Sequence, residues 1–173
     1  MTIWFISDTH FCHRNIIEFC HRPIPGGEVE EMNEILMDNW NKRIQPKDEV
    51  YHLGDFAFCG ADRKRDFISH LNGIKYLVRG NHDNKAESWW QEAGFEWARD
   101  YYLLQVHDKY QNEDGDEQQY NQPIVLCHFP ILSWDGMAHG SWHLHGHCHG
   151  SIDNSWNKTG LRMDIGVDTN NLM

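Results

Sequence analysis

Five short β-rich runs in this chain each end in a cluster of aspartate, histidine or asparagine, and any fold it adopts has to accommodate that repetition. The runs are TIWFISDTH at 2 to 10, EVYHLGD at 49 to 55, KYLVRGNHD at 75 to 83, IVLCHFP at 124 to 130 and SWHLHGHCH at 141 to 149. Each reads as a strand that runs into a polar loop. Between the early runs lie helical patterns. Met32, Ile35, Leu36, Trp40 and Ile44 fall on one face of a helix over 28 to 44. A second helix over 61 to 71 buries Phe67, Ile68 and Leu71 and stops at Asn72-Gly73, and a third over 84 to 93 stops at Gly94. Both glycines suit a left-handed helix end. From 95 to 108 the pattern is one extended strand. An acidic tract over 108 to 122 reads as a loop turning at Asp114-Gly115, with a return strand at 124. The last segment, LRMDIGVDTNNLM, reads as a strand through Ile165 and a tail, without a functional signal.

Strand-helix alternation predicts an α/β sheet with helices packed on its faces. No internal repeat or interdomain linker interrupts it, and 173 residues suit one domain over 1 to 173. In open sheets of this kind, ligands bind beyond the carboxyl ends of the strands. There stand Asp8, His10, Asp55, Asn81, His82, Asp83, His128, His145, His147 and His149. Taken singly, each is ambiguous: Asp8 could cap the helix that follows, Gly54-Asp55 could be a turn, and His128 could be a backbone-bonded histidine. Together they need five unrelated structural reasons or one convergent polar site. Three imidazoles at 145, 147 and 149 repel one another when protonated, and their clustering makes sense where a metal holds them neutral.

Charge narrows the partners. With 15 basic and 26 acidic residues the net charge is -11, which opposes stable binding to a nucleic-acid backbone. A zinc-dependent nucleic-acid module would need Cys/His pairs at finger spacing and a basic face, and neither is present. No apolar run approaches a membrane span, and no basic, greasy, cleavable leader opens the chain. The five cysteines are scattered without a C-x-x-C pair. Reduced thiols and a cytoplasmic location are therefore expected, with no membrane partner.

The blocks Asp8-Thr9-His10, Gly54-Asp55, Gly80-Asn81-His82-Asp83, His128 and Gly146-His147-Cys148-His149 stand in the order D-x-H, G-D, G-N-H-[D/E], H, G-H-x-H. In this the chain resembles the calcineurin-like metallophosphoesterase superfamily. Within it, the opening SDTHF-x-H-x-N-I stretch is similar to the small single-domain phosphoesterases of bacteria and phages. The resemblance implies a four-layer α/β/β/α sandwich of two mixed sheets face to face with helices outside, and two divalent metal ions. It implies Asp8, His10 and His149 at one ion, Asn81, His128 and His147 at the other, and Asp55 bridging. A hydroxide between the ions would attack phosphorus in line, with His82 assisting the leaving group and Asp83 fixing the His82 tautomer. On this reading His147 and His149 face the same way at strand period two, with Cys148 turned inward and His145 outside the ligand set. Mixed nitrogen and oxygen ligation suits manganese, iron, zinc, cobalt or nickel better than an all-oxygen magnesium or calcium site, and manganese is the ion expected.

For substrate, the resemblance points to a phosphodiesterase acting on small nucleotide-like or other phosphodiesters. The GDFAFCG and GNHD segments depart from the serine/threonine phosphatase pattern, and no insertion large enough to form a cap is present. A phosphomonoesterase with the same site, or an inactive metal-binding scaffold, are the alternatives. Arg14, Asn15 and Arg22 are candidate phosphate donors at the rim, with solvated surface as the competing explanation. Of the eight tryptophans, Trp40, Trp89 and Trp90 sit on helical patterns, where packing is expected. A homodimer is expected by family habit alone.

Overall fold

In a computed structural model, which describes residues 1–111, 115–152 and 161–172, the chain forms two four-stranded sheets. The first contains β1 (Ile3–Ile6), β2 (Glu49–His52), β3 (Ile74–Val78) and β4 (Phe95–Arg99), in that order and parallel throughout. The second contains β5 (Tyr102–Gln111), β6 (Glu117–Leu126), β7 (Trp142–His145) and β8 (Arg162–Asp164). Only its β5-β6 pair is antiparallel. The second sheet is thus mixed, as expected, whereas the first is not. An isolated parallel bridge between Ser7 and Gly166 ties the two sheets together just past β1 and β8.

Helices α1 (Arg14–Phe19), α2 (Val29–Arg43), α3 (Ala61–His70) and α4 (Glu87–Ala93) supply the crossovers of the first sheet. β2 shows why both its faces are apolar. Val50 belongs to the core under the helices, while Tyr51 and Leu53 belong to the core between the sheets, as a parallel strand covered on both sides requires. Of the stripe anticipated from the spacing, Met32, Leu36 and Trp40 on α2 and Ile44 just past it are buried, and Ile35 is half-buried against the same core. Such side chains each contribute roughly 1.5–3 kcal/mol by leaving water. On β7 the alternation runs the other way: Leu144 enters the inter-sheet core while His143 and His145 turn to the opposite face. Trp134 covers that face with its ring 5.4 Å from His143. Among the described residues, the outer layer of the second sheet carries a 3-10 turn at Met137–His139 and no α-helix.

Three local expectations change. The run from 95 to 108 is two strands in different sheets, broken at Asp100-Tyr101. The acidic tract over 108 to 122 is mostly strand, since β5 and β6 pair from Tyr102 with Leu126 out to Gln111 with Glu117. Asp114 of the expected turn lies outside the described residues. Gly94 does close α4 in a left-handed conformation, at φ 117°. Gly73 does not close α3: that helix ends on an extended Leu71, and the Lys75 ammonium donates to the carbonyls of Leu71 and Gly73 at 2.8 and 3.0 Å instead.

Trp40 is fully buried, and its indole N–H donates to the Asn72 carbonyl at 2.9 Å, fastening α2 to the turn before β3. Trp40→Ala is expected to lose about 3–5 kcal/mol of stability, read as a lower urea midpoint with an unchanged slope.

Candidate metal centre

The parallel pairings of β1, β2 and β3, and of β6, β7 and β8, bring the carboxyl ends of six strands to one end of the two-sheet stack. The chain leaves those ends through unusual backbone. Asp8, His10, Asp55, His147 and His149 all have positive φ, between 46° and 69°. Aspartate and histidine tolerate this region better than most side chains, yet it still costs about 1–3 kcal/mol at each position. Gly80 and Gly146 allow close approach. A Cβ on Gly80 would overlap the Asp55 carboxylate, and one on Gly146 would overlap Ser7 Oγ and Asp8 Oδ2.

Two groups of side chains result. Ligand atoms of Asp8, His10 and His149 lie within 4.8 Å of one another, as do those of Asp55, His128 and His147. Asp55 stands between them: its Oδ2 is 3.6 Å from His10 Nε2 and 3.6 Å from His128 Nε2. The Asn81 side-chain oxygen is 3.2 Å from His128 Nε2. The structure therefore brings the seven candidate residues together, with Asp8, His10 and His149 on one side of Asp55 and Asn81, His128 and His147 on the other. His147 and His149 reach separate groups because both occupy left-handed turn positions beyond the end of β7, and strand alternation has no part in it. His145 is a strand residue whose Nδ1 donates to the Gly146 carbonyl.

The hydrogen bonds around these groups fix which nitrogen faces inward. His128 Nδ1 donates to the Leu53 carbonyl at 2.7 Å, so Nε2 of the neutral ring is an acceptor. It faces two further acceptors, Asn81 Oδ1 and Asp55 Oδ2. His149 Nδ1 donates to Asp168 at 2.6 Å, leaving Nε2 free. Both ring nitrogens of His10 are buried with no hydrogen-bond partner. Unsatisfied nitrogens and carboxylate oxygens converging in a buried site suit a cation, and no Lys or Arg forms an ion pair with Asp8 or Asp55 among the described residues. Burial opposes ionisation of Asp8, but its contact with His10 and the nearby imidazoles hold its pKa down to about 2. Burial lowers the pKa of His10 and of His147, favouring the neutral rings a metal requires. A third group, Cys20, His149 and Asp168, shares His149. It suits a cation less well, because Asp168 is already paired with Arg22 and burial pushes the Cys20 thiol up to about 11.

His82 sits apart from both groups. Its ring is 45% exposed, packs tilted against Phe58 with centroids 4.4 Å apart, and keeps Nε2 3.9 Å from Asp55 Oδ2. Its backbone N–H donates to Asp55 Oδ1. Asp83 does not hold the His82 ring: its carboxylate accepts the backbone N–H groups of Asp55, Phe56 and Gly80 at 2.7, 3.2 and 2.9 Å, clamping the loop that carries Asp55.

Arg22 also departs from expectation. It is 4% exposed, forms a two-pronged pair with Asp168, and donates to the carbonyls of Asp8 and Thr9. It has no face left for substrate and works as a staple between the Asp8 turn and the partner of His149. Arg14 and Asn15 are exposed, and Arg14 pairs with Glu28. Neither lines the cleft of about 440 Å³ over the cluster, whose walls include His10, His13, Ile16, Phe19 and His82. Two participants went unread in the sequence. Asp168 stands 146 positions from Arg22, and its only local sign is an acid just after the last strand. His52 accepts the Gly54 N–H and meets Thr9 Oγ1, with burial lowering its pKa to about 3, so a neutral ring holds the turn before Asp55.

A two-sheet α/β sandwich with buried carboxylates and imidazoles gathered at its strand ends is the architecture of a metal-dependent hydrolase. The family description "calcineurin-like phosphoesterase" matches residues 1–165, and the chain belongs to that family, whose members hydrolyse phosphoesters with divalent metal ions. The chain is similar to an uncharacterized protein of Methanocaldococcus jannaschii, 47% identical over 87 residues, covering 49% of this chain. That match spans about half the relative's length, 48%. It is also similar to the gene 66 protein of Mycobacterium phage L5, 24% identical over 95% of this chain and 86% of the phage protein. The crystal structure of a protein of unknown function from Aquifex aeolicus shares the fold, with a TM-score of 0.64 and 23% identity over 98% of this chain and 92% of that one. No helix among the described residues is long and apolar enough to cross a membrane.

Removing Arg22 would leave Asp168 buried without its main partner. Arg22→Met is expected to cost about 3–5 kcal/mol in chemical denaturation, well beyond a surface ion pair.

Proposed function

We propose that the protein is a phosphodiesterase that uses two divalent ions, manganese first among them, on small phosphodiesters. The observation that carries this reading is a buried set of carboxylates and imidazoles with no cation of the protein's own among the described residues, above all His10 with two unpartnered ring nitrogens and His128 Nε2 directed at Asp55 and Asn81. Asp8, His10 and His149 would hold one ion, Asn81, His128 and His147 the other, with Asp55 shared between them. Such ions supply charge neutralisation for phosphoryl oxygens and lower the pKa of water toward neutrality.

The protein's own groups would do the rest. Hydrogen bonds from His128 to Leu53 and from His149 to Asp168 lock ring orientations, so no reorganisation accompanies substrate entry. The Asp83 clamp and the His82 N–H fix the Asp55 carboxylate. His82, exposed at the mouth and outside both ligand groups, would donate a proton to the departing oxygen. A diester is favoured over a monoester by what lines the cleft: Ile16 and Phe19 form an apolar wall, and no Lys or Arg lines it among the described residues. A dianionic monoester would want such a cation, while a monoanionic diester with an organic substituent would not. The unpaired cysteines and acidic composition fit a cytoplasmic setting and a small-molecule partner.

The test is manganese-supported hydrolysis of bis-p-nitrophenyl phosphate against p-nitrophenyl phosphate, with metal counted in wild type and His82→Ala. The expected result is two ions per chain in both proteins, a preference for the diester, and a loss in kcat of about 10²- to 10⁴-fold in the variant. Metal lost with the imidazole would make His82 a ligand, and monoester preference would overturn the diesterase assignment.

A further inference from the structure

A second cleft, of about 610 Å³, opens on the far side of His82. It lies between the segment at 57–61 that leads into α3 and the loop at 81–85. Asn81 and His82 line this cleft and the one over the ligand cluster, so the two meet at the group that faces the departing oxygen. Their chemistry differs. Among the described residues, the cleft over the cluster has no Lys or Arg in its lining, whereas the second is lined by Lys64 and Lys85 and by no acid. In a chain of net charge -11, that local sign stands out.

Lys64 carries the inference. It is 5% exposed, yet among the described residues its ammonium makes no hydrogen bond and no ion pair, resting only 5.5 Å from the centre of the Trp90 ring. The aromatic face attracts the ammonium from one side, and an anion in the cleft would attract it from the other. The ten-residue helix α3 begins at the same place. Gly60 and Ala61 line the cleft, and no side chain caps the helix, so the free N–H groups of its first turn add to the positive field. Asp62, the acid of that turn, is fully exposed, pairs with Arg65 and does not line the cleft.

We propose that this cleft is a leaving-group subsite that binds a second phosphate, so that the preferred substrate is a phosphodiester whose departing alcohol is itself phosphorylated. The proposal rests on the phosphodiesterase reading above. With the scissile phosphate over the ligand cluster and His82 beside the departing oxygen, the rest of the leaving moiety continues past His82 toward Lys64. Lys85, exposed at the rim, completes a two-lysine clamp around an anion that the acidic surface elsewhere would repel.

The experiment compares thymidylyl-thymidine with the same dinucleotide carrying a terminal phosphate at its 5′ end or at its 3′ end. Wild type and Lys64→Met are assayed with manganese, beside bis-p-nitrophenyl phosphate. Methionine keeps the stem against Trp90, and a thermal melt checks folding. The readout is the ratio of kcat/KM with and without the extra phosphate, which a general loss of folded enzyme does not move. In wild type one phosphorylated isomer is expected to be better by on the order of tenfold, and Lys64→Met is expected to bring the ratio near one. A wild-type ratio near one, or a ratio unchanged by the substitution, overturns the subsite. If bis-p-nitrophenyl phosphate and the dinucleotides all resist wild type, the diesterase reading fails instead. Calorimetric titration with thymidine 3′,5′-bisphosphate then decides the cleft: binding lost in Lys64→Met supports it, and equal binding in both proteins rules it out.

Discussion

Asp8 and Asp55 are two buried carboxylates set among imidazoles, with no lysine or arginine paired to either among the described residues, and the site is organised around that unbalanced negative charge. Buried carboxylates ordinarily find a cation or take up a proton. Here His128 spends its donor nitrogen on Leu53 and turns Nε2 inward, while His149, whose pKa is raised against the effect of burial by its hydrogen bond to Asp168, is held in place by that bond with Nε2 toward the cluster. The cluster is thus built to receive positive charge from outside the chain. That constraint fits the way Arg22 gives its guanidinium to Asp168 and to backbone carbonyls and makes no ion pair with the Asp8 carboxylate.

Presenting these groups uses unfavourable backbone. Five ligand-type residues in left-handed conformations, with Gly80 and Gly146 pressed against Asp55 and Asp8, store strain that an isolated loop would release. Two devices hold it in place. Asp83 accepts three backbone N–H groups in the loops around Asp55, and Arg22 pins the Asp8 turn to Asp168 and through it to His149. The parallel sheet beneath supplies rigidity, since β1, β2 and β3 carry three of the loops in fixed register.

The ligand types were legible in the sequence because each sits at the end of a β-rich run, where periodicity and polarity change together. Helix positions were legible for a similar reason: the Met32, Leu36, Trp40, Ile44 stripe has a single geometric explanation. What sequence could not show depends on contacts between distant segments. Arg22 looked like a rim donor because its neighbours are polar, and only the approach of Asp168 across 146 positions makes it a buried staple. Asp83 adjoins His82 in sequence but points to backbone. The separation of His147 from His149 comes from φ values, which a strand-like spacing conceals. Likewise, the break at Asp100-Tyr101 moves the chain from one sheet to the other without any glycine or proline to announce it.

The account turns on two cations sharing Asp55. The most direct measurement is manganese titration of the metal-free protein followed by electron paramagnetic resonance, in wild type and in Asp55→Asn. A spin-coupled pair at two equivalents, replaced in the variant by isolated or weakly held ions, is the predicted result. A single uncoupled ion at saturation, or coupling that survives the loss of the Asp55 carboxylate, would contradict it.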